Sequence, residues 1–321
     1  MEVQVDNLIS KNEKMIFYKL FLLCAIISGT SCKSNTEDKK VKKESMTHSS
    51  KIEVQGHRGQ RGHSPENSIS AFLKAIEKGV DVIEMDVVIS KDRKVVVSHE
   101  PFMSSLYVLT PAGDSISKAN EKSFNFYEMT YDSIRMFDIG SKGNENFPEQ
   151  QKIKSYKPLL SEVIDSVENY VKSHELPSVK YNIEIKSTVS EYDEFQPRPV
   201  DFIKLVMDVI QKKGIENKMN IQSFDENILN EMNRVYPKVE LAFLVSQEGI
   251  SKNLAKLDFT PQIYSPNFKL IKNQEFVDSI KQKDMRLIPW TVNEKVDIIE
   301  MIALKVDGMI TDYPERVLEE L

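Results

Sequence analysis

The sequence predicts an α/β fold, a (β/α)8 TIM barrel with an insertion after the second strand. Two observations carry this expectation. From about residue 52 onward, short β-branched runs alternate with amphipathic helical patterns. Eight such runs in a domain of ~250 residues match eight parallel βα units closing on themselves. An open doubly wound sheet shares the same periodicity and is the competing arrangement.

The strand patterns, in order, are EVQGH (53–57), DVIEMDVVI (81–89), YNIEIK (181–186) and MNIQSF (219–224), then VELAFLV (239–245), QIYSP (262–266), RLIPWTV (286–292) and VDGMIT (306–311). Helical patterns lie between them. The first, SPENSISAFLKAIEKG, is expected to begin with Ser64 as N-cap and Pro65 at the first helical position, and to stop at Gly79. A second, FIKLVMDVIQKKG, ends the same way at Gly214, and EKVDIIEMIALK supplies another amphipathic face. Residues 100–158 break the rhythm: they are rich in Ser, Asn, Lys and Tyr with weak periodicity. They read as an insertion beside the active face, since loops carry function on a rigid scaffold.

Before residue 52 the chain reads differently. LFLLCAII (20–27), preceded by Lys14 and Lys19, is too short to span a bilayer, which takes ~20 apolar residues. It fits the apolar region of an export signal, followed by Gly29, Thr30, Ser31 and Cys32. Residues 1–32 thus resemble a bacterial lipoprotein signal, with Cys32 as the acylated N-terminus of the mature chain. Residues 33–51 are polar and Lys-rich, a linker to the domain at 52–321. Of the two cysteines, Cys24 leaves with the signal, so no internal disulfide is expected. The expected location is outside the cytoplasm, anchored by lipid at Cys32 to a bacterial membrane, periplasmic or at the cell surface. A formal charge of −6 argues against a nucleic-acid partner, because phosphate backbones need a basic face.

The chemistry starts in VIEMDVVI (82–89). Side chains two apart share a face of a strand. Ile83, Met85, Val87 and Ile89 therefore face the helices, while Val82, Glu84, Asp86 and Val88 face the barrel axis. Two neighbouring carboxylates resist joint ionisation unless a cation lies between them, and hard divalent ions prefer such oxygen ligands. YNIEIKS repeats the pattern: Asn182, Glu184 and Lys186 share the inner face, so Glu184 can complete the set with Lys186 beside it. A structural Glu–Lys pair at the barrel mouth is the plainer reading of either strand alone.

Of the five histidines, His57 ends the first strand pattern and His99 ends KVVVSHE, after the acidic strand. Both flank the carboxylates, where an imidazole can move protons near neutral pH. His48 lies in the linker, His174 in a polar loop and His63 in a loop or helix entry. Arg58 adds a fixed cation suited to phosphate.

These residues resemble the glycerophosphodiester phosphodiesterase family over about 53–316, through GHRG (56–59), PENS (65–68), AFLKAIEKGVDVIEMDV (71–87), VVSHE (96–100), IEIK (183–186), QSF (222–224), PWTVN (289–293) and DGMITDYP (307–314). The resemblance implies a barrel that uses a divalent cation, Ca²⁺ or Mg²⁺, to cleave glycerophosphodiesters to glycerol phosphate and an alcohol. It implies His57 and His99 as acid and base, Glu84, Asp86 and Glu184 as metal ligands, Arg58 and Lys186 as phosphate contacts, and Trp290 as an aromatic wall. Trp290 reads equally as barrel packing, and Glu66 and Asn67 read as helix-entry capping ahead of substrate contact, the alternative. Ser68 and Glu100 depart from the family's usual threonine and aspartate. The alternatives are a phospholipase D-like enzyme acting on intact lipids and a lipid-anchored protein that binds phosphodiesters without turnover.

Overall fold

The computed structural model describes residues 51–321; the signal-like segment, the linker to residue 50 and Cys32 lie outside the described residues. The described chain is an eight-stranded parallel β/α barrel. It begins with β1 (Glu53–Gly56), α1 (Ile69–Lys78) and β2 (Val82–Ile89), followed by a short antiparallel return, β3 (Val95–Val97). After the insertion, which holds α2 (Tyr131–Ile134), come α3 (Leu160–Ser173), β4 (Lys180–Ile185), α4 (Pro199–Lys213) and β5 (Met219–Ser223). Then follow α5 (Glu226–Val235), β6 (Glu240–Val245), α6 (Ile250–Leu254), β7 (Ile263–Pro266) and α7 (Gln274–Lys281). The last units are β8 (Arg286–Leu287), α8 (Lys295–Ala303), β9 (Gly308–Thr311) and α9 (Pro314–Leu318).

The strands run β8-β7-β6-β5-β4-β2-β1-β9, every pair along this path parallel. Backbone bonds from Ile310 N–H to Pro289 O and from Val292 N–H to Ile310 O close the ring. The seventh pattern, RLIPWTV, is regular only at Arg286–Leu287, because Pro289 lacks an N–H and interrupts the ladder.

Period-two alternation does on β2 what the sequence implies. Ile83, Met85, Val87 and Ile89 join the apolar layer between sheet and helices, together with Phe72, Val163 and Phe202. Val88, on the opposite face, lies in a separate apolar cluster with Val96, Met103, Tyr107 and Phe126, so the insertion has its own small core. Inside the ring, Ala242, Ile263, Ile288 and Ile310 form one apolar patch, on which Trp290 packs.

The opposite part of the barrel interior is polar. Asn182 Nδ2 donates to Gln55 Oε1 at 2.8 Å and to Gln222 Oε1 at 3.0 Å, and Asn220 Nδ2 donates to Asn182 Oδ1. Gln222 Nε2 in turn donates to Glu84 Oε1 at 2.8 Å. Every amide of this ladder is buried and paired, as low-dielectric surroundings demand.

The first helix starts later than the sequence predicts. Its N-cap is Ser68, whose hydroxyl accepts from Ala71 N–H, and not Ser64; Pro65 precedes the helix. The reason is tertiary. Asn67 is turned into a left-handed backbone conformation (φ 55°) so that its side chain reaches Asp86, which a helical residue could not do. Gly79 and Gly214 end their helices in left-handed conformations, as expected.

Candidate active site

The C-terminal ends of β1, β2, β4 and β9 converge on one polar site. Register sets the carboxylates: Asp86 on β2 lies opposite Glu184 on β4, and Glu84 lies opposite Asn182. One oxygen from each of Glu84, Asp86 and Glu184 falls within 4.8 Å of the others, and all three residues are buried. Burial pushes the Glu84 carboxyl well above its ordinary value, with Asp86 and Glu184 adding to the effect. Burial also raises Glu184, although Lys186 opposes it. Asp86 differs: Arg58, His99 and Lys186 outweigh the cost of its burial and hold it ionised, below the usual carboxylate range.

Three acids crowded in this way suit a hard divalent cation. Asp86 Oδ1 is a buried acceptor without a hydrogen bond among the described residues, and the ammonium of Lys186 stands 3.8 Å from it while bonding Glu184 Oε1 at 2.7 Å. An open acceptor among three crowded acids fits such a cation. Glu84, Asp86 and Glu184 are the residues able to hold it.

His57 and Arg58 follow β1 in a tight turn. Gly59, at φ 86°, makes this turn possible: a Cβ there would sit 2.5 Å from the backbone carbon of Ala71 on α1. Arg58 is itself left-handed (φ 52°), a strained state typical of functional turns. Its N–H donates to Glu84 Oε2 at 2.9 Å and its Nη1 to Glu66 Oε1 at 2.7 Å. Its Nε lies 3.2 Å from Asp86 Oδ2, yet the angle leaves it without a true hydrogen bond. Glu66 and Asn67, read from sequence as capping residues, instead grip Arg58, Arg61 and Asp86; Asn67 Nδ2 donates to Asp86 Oδ2 at 2.8 Å.

His57 Nδ1 is 2.7 Å from Asp312 Oδ1. Asn293 Nδ2 donates to the other Asp312 oxygen, and Asn293 Oδ1 accepts the Asp312 N–H. His57, Arg61 and Asn293 outweigh burial and hold Asp312 ionised. An ionised carboxylate only accepts, so His57 Nδ1 carries the proton and Nε2 is left with a free lone pair. Burial lowers the pKa of His57, against the pull of Asp312.

His99 arrives differently. The run before it is not a barrel strand: β3 doubles back antiparallel on β2, and Ser98 N–H bonds Asp86 O. His99 Nδ1 pairs with Glu100 Oε1 at 3.0 Å, while Glu100 Oε2 accepts from Tyr107 O–H at 2.8 Å. Lys157, fully buried, donates to the Tyr107 oxygen. The longer glutamate at position 100 therefore spans from His99 to residues of the insertion.

Trp290 Nε1–H donates to Ser265 O at 2.9 Å, and its ring meets Phe224 edge-on at 5.4 Å. The Lys186 ammonium lies 5.7 Å from the Phe224 ring centre. Trp290 thus packs the barrel and touches Phe224, which in turn lies beside Lys186. His63 pairs with Glu315, and His174 caps α3 against Tyr170; neither joins the site. Asp312, Asn293, Gln222, Tyr107 and Lys157 escaped the sequence reading. Asp312 had a usable signal, since it follows β9 as His57 follows β1 on the neighbouring strand.

The model of the glycerophosphoryl diester phosphodiesterase family matches residues 57–316. A glycerophosphodiester phosphodiesterase of Caldanaerobacter subterraneus is 29% identical over 267 residues, covering 83% of this chain and 96% of that protein. A crystal structure described as a glycerophosphoryl diester phosphodiesterase of Silicibacter pomeroyi superposes with a TM-score of 0.75 at 28% identity, covering 85% of this chain and 93% of that one. An Oleispira antarctica phosphodiesterase in complex with the product sn-glycerol-3-phosphate superposes with a TM-score of 0.65 at 19% identity, covering 83% of this chain and 95% of that one.

Proposed function

Because the chain belongs to the glycerophosphoryl diester phosphodiesterase family, we propose that it cleaves glycerophosphodiesters to glycerol phosphate and an alcohol with the help of a divalent cation, His57 and His99 transferring the protons. The observation that carries the reading is the buried trio Glu84, Asp86 and Glu184 with an unpaired oxygen on Asp86, flanked by both histidines. A bound Ca²⁺ or Mg²⁺ would neutralise charge on the phosphodiester oxygens.

His57 is the general base. Its Nε2 lone pair is free, its tautomer is fixed by Asp312, and burial favours the neutral ring. His99, a third exposed and among the groups that hold Asp86 ionised, protonates the departing alkoxide. Arg58 and Lys186 hold the negative charge of the phosphate, and Trp290 with Phe224 bounds the substrate on one side. The purified protein is expected to hydrolyse glycerophosphodiesters in the presence of Ca²⁺ or Mg²⁺. Activity that survives both His57→Ala and Glu84→Ala would overturn the assignment.

Acylation at Cys32 would tether this domain to a bacterial membrane through the polar linker at 33–51. The apolar run and small residues before Cys32 support this reading. No helix among the described residues is long and apolar enough to cross a membrane. Metabolic labelling with a radioactive fatty acid tests the anchor: label should be present on the wild type and absent from Cys32→Ser.

A further inference from the structure

The insertion carries an open cleft of about 790 Å³ that the residues above do not explain. Glu100 forms part of its wall, and this is the same Glu100 whose carboxylate holds His99 at 3.0 Å, so the cleft opens directly beside the candidate acid. Its other walls come from residues 104–106, Lys118, 142–145, 147–148, Gln150 and Lys152.

Hydrogen-bond donors dominate this cleft. Asn144 is more than nine-tenths buried, its Oδ1 accepts from Asn146 N–H, and its Nδ2 has no partner among the described residues. A buried amide donor left unpaired at a cleft wall implies an acceptor that arrives with a ligand. Among the described residues Lys142 bonds only the uncharged carbonyl of Ser105, so its charge is not cancelled there. Lys152 forms no ion pair among the described residues, while Lys118 is paired with Glu121. Of the two lining carboxylates, Glu100 bonds His99 and Tyr107 and is faced by the buried cations Lys157 and Arg58, which leaves Glu145 against Lys142 and Lys152. The balance is positive.

A quaternary ammonium, by contrast, needs open aromatic faces. Phe147 is the one aromatic residue in the lining, and the guanidinium of Arg61 already covers it at 4.4 Å.

We propose that this cleft binds the alcohol half of the substrate and selects head groups that are anionic and rich in hydroxyls over cationic ones. The inference rests on the hydrolase reading above and specifies its substrate class. Asn144 Nδ2 and the Lys142 and Lys152 ammonium groups supply the donors; the head-group phosphate or carboxylate and hydroxyls accept. Cleavage then releases the anionic alcohol from beside His99.

Two substrates test this, glycerophosphoinositol 4-phosphate and glycerophosphocholine, with kcat/KM measured for each on the wild type, Asn144→Ala and Lys142→Gln/Lys152→Gln. Loss of one or two charge-assisted bonds should lower kcat/KM for the inositol phosphate substrate by about tenfold or more, while choline substrate turnover stays within about twofold. Calorimetry with inositol 4-phosphate alone reads the cleft without turnover, and the same variants should weaken it. Equal turnover of the two substrates by the wild type would overturn the proposal, as would variants that slow both equally. Wild-type binding of inositol 4-phosphate without hydrolysis of either diester would support the cleft and overturn the hydrolase reading.

Discussion

His57 and Asp312 leave neighbouring parallel strands at the same height and meet with Nδ1 2.7 Å from Oδ1. The pairing follows from register: Gly56 lies opposite Thr311, and His57 N–H bonds Thr311 O. One residue further on, both side chains turn into the site. The ladder that closes the barrel thus also orients the proposed base.

Replacing Asp312 with Asn preserves shape but offers His57 an amide in place of an anion. We expect kcat to fall by about 10²-fold or more. The acidic limb of kcat/KM should move to lower pH, because Asp312 raises the pKa of His57 and activity requires the neutral ring. A pH–rate profile of Asp312→Asn, with circular dichroism to verify folding, provides the check. An unmoved limb would argue against His57 as base.

Cation affinity should rise with pH. Glu84 and Glu184 have pKa values raised by burial, so as pH falls they hold protons that a cation must displace. Above their raised values both are ionised and the dependence levels off. Calorimetric titration of Ca²⁺ and Mg²⁺ in buffers of different ionisation enthalpy should register proton release at acidic pH. A chelator should abolish turnover, with recovery on adding metal back.

Gln222 links the amide ladder to Glu84. Gln222→Leu leaves Glu84 Oε1 and one Asn182 donor contact without their partner, at a cost of about 1–3 kcal/mol. Equilibrium urea denaturation of the two proteins measures this loss directly. Cation affinity should change as well, since the same oxygen of Glu84 loses its anchor.

Gly59→Ala tests the turn that presents His57 and Arg58. It combines a left-handed backbone (φ 86°) with a Cβ 2.5 Å from the Ala71 backbone. Destabilisation of about 2 kcal/mol or more is expected, read as a lowered thermal midpoint. Activity should fall further than stability, because displacing this turn moves Arg58 off Glu84.

The sequence disclosed what alternation alone can carry. Strand periodicity placed Glu84, Asp86 and Glu184 on one face, and the structure brings them together. It could not disclose that KVVVSHE folds back on β2, since a short antiparallel return and a barrel strand share one pattern. The 64–67 segment misled for a different reason. Its serine, proline and glutamate obey helix-start rules, yet long-range bonds to Arg58 and Asp86 fix its backbone instead. Lys157, Tyr107 and Glu100 meet through contacts up to fifty residues apart, which no local spacing encodes.

Chain order also gives the closing ladder a temporal meaning. The three carboxylates are synthesised by residue 184, but Asp312, 255 positions beyond His57, follows only the last strand. A nascent or truncated polypeptide would therefore own the acidic ligands long before it owned an oriented base. Full hydrolytic competence would thus await the final strand, the same one that closes the barrel.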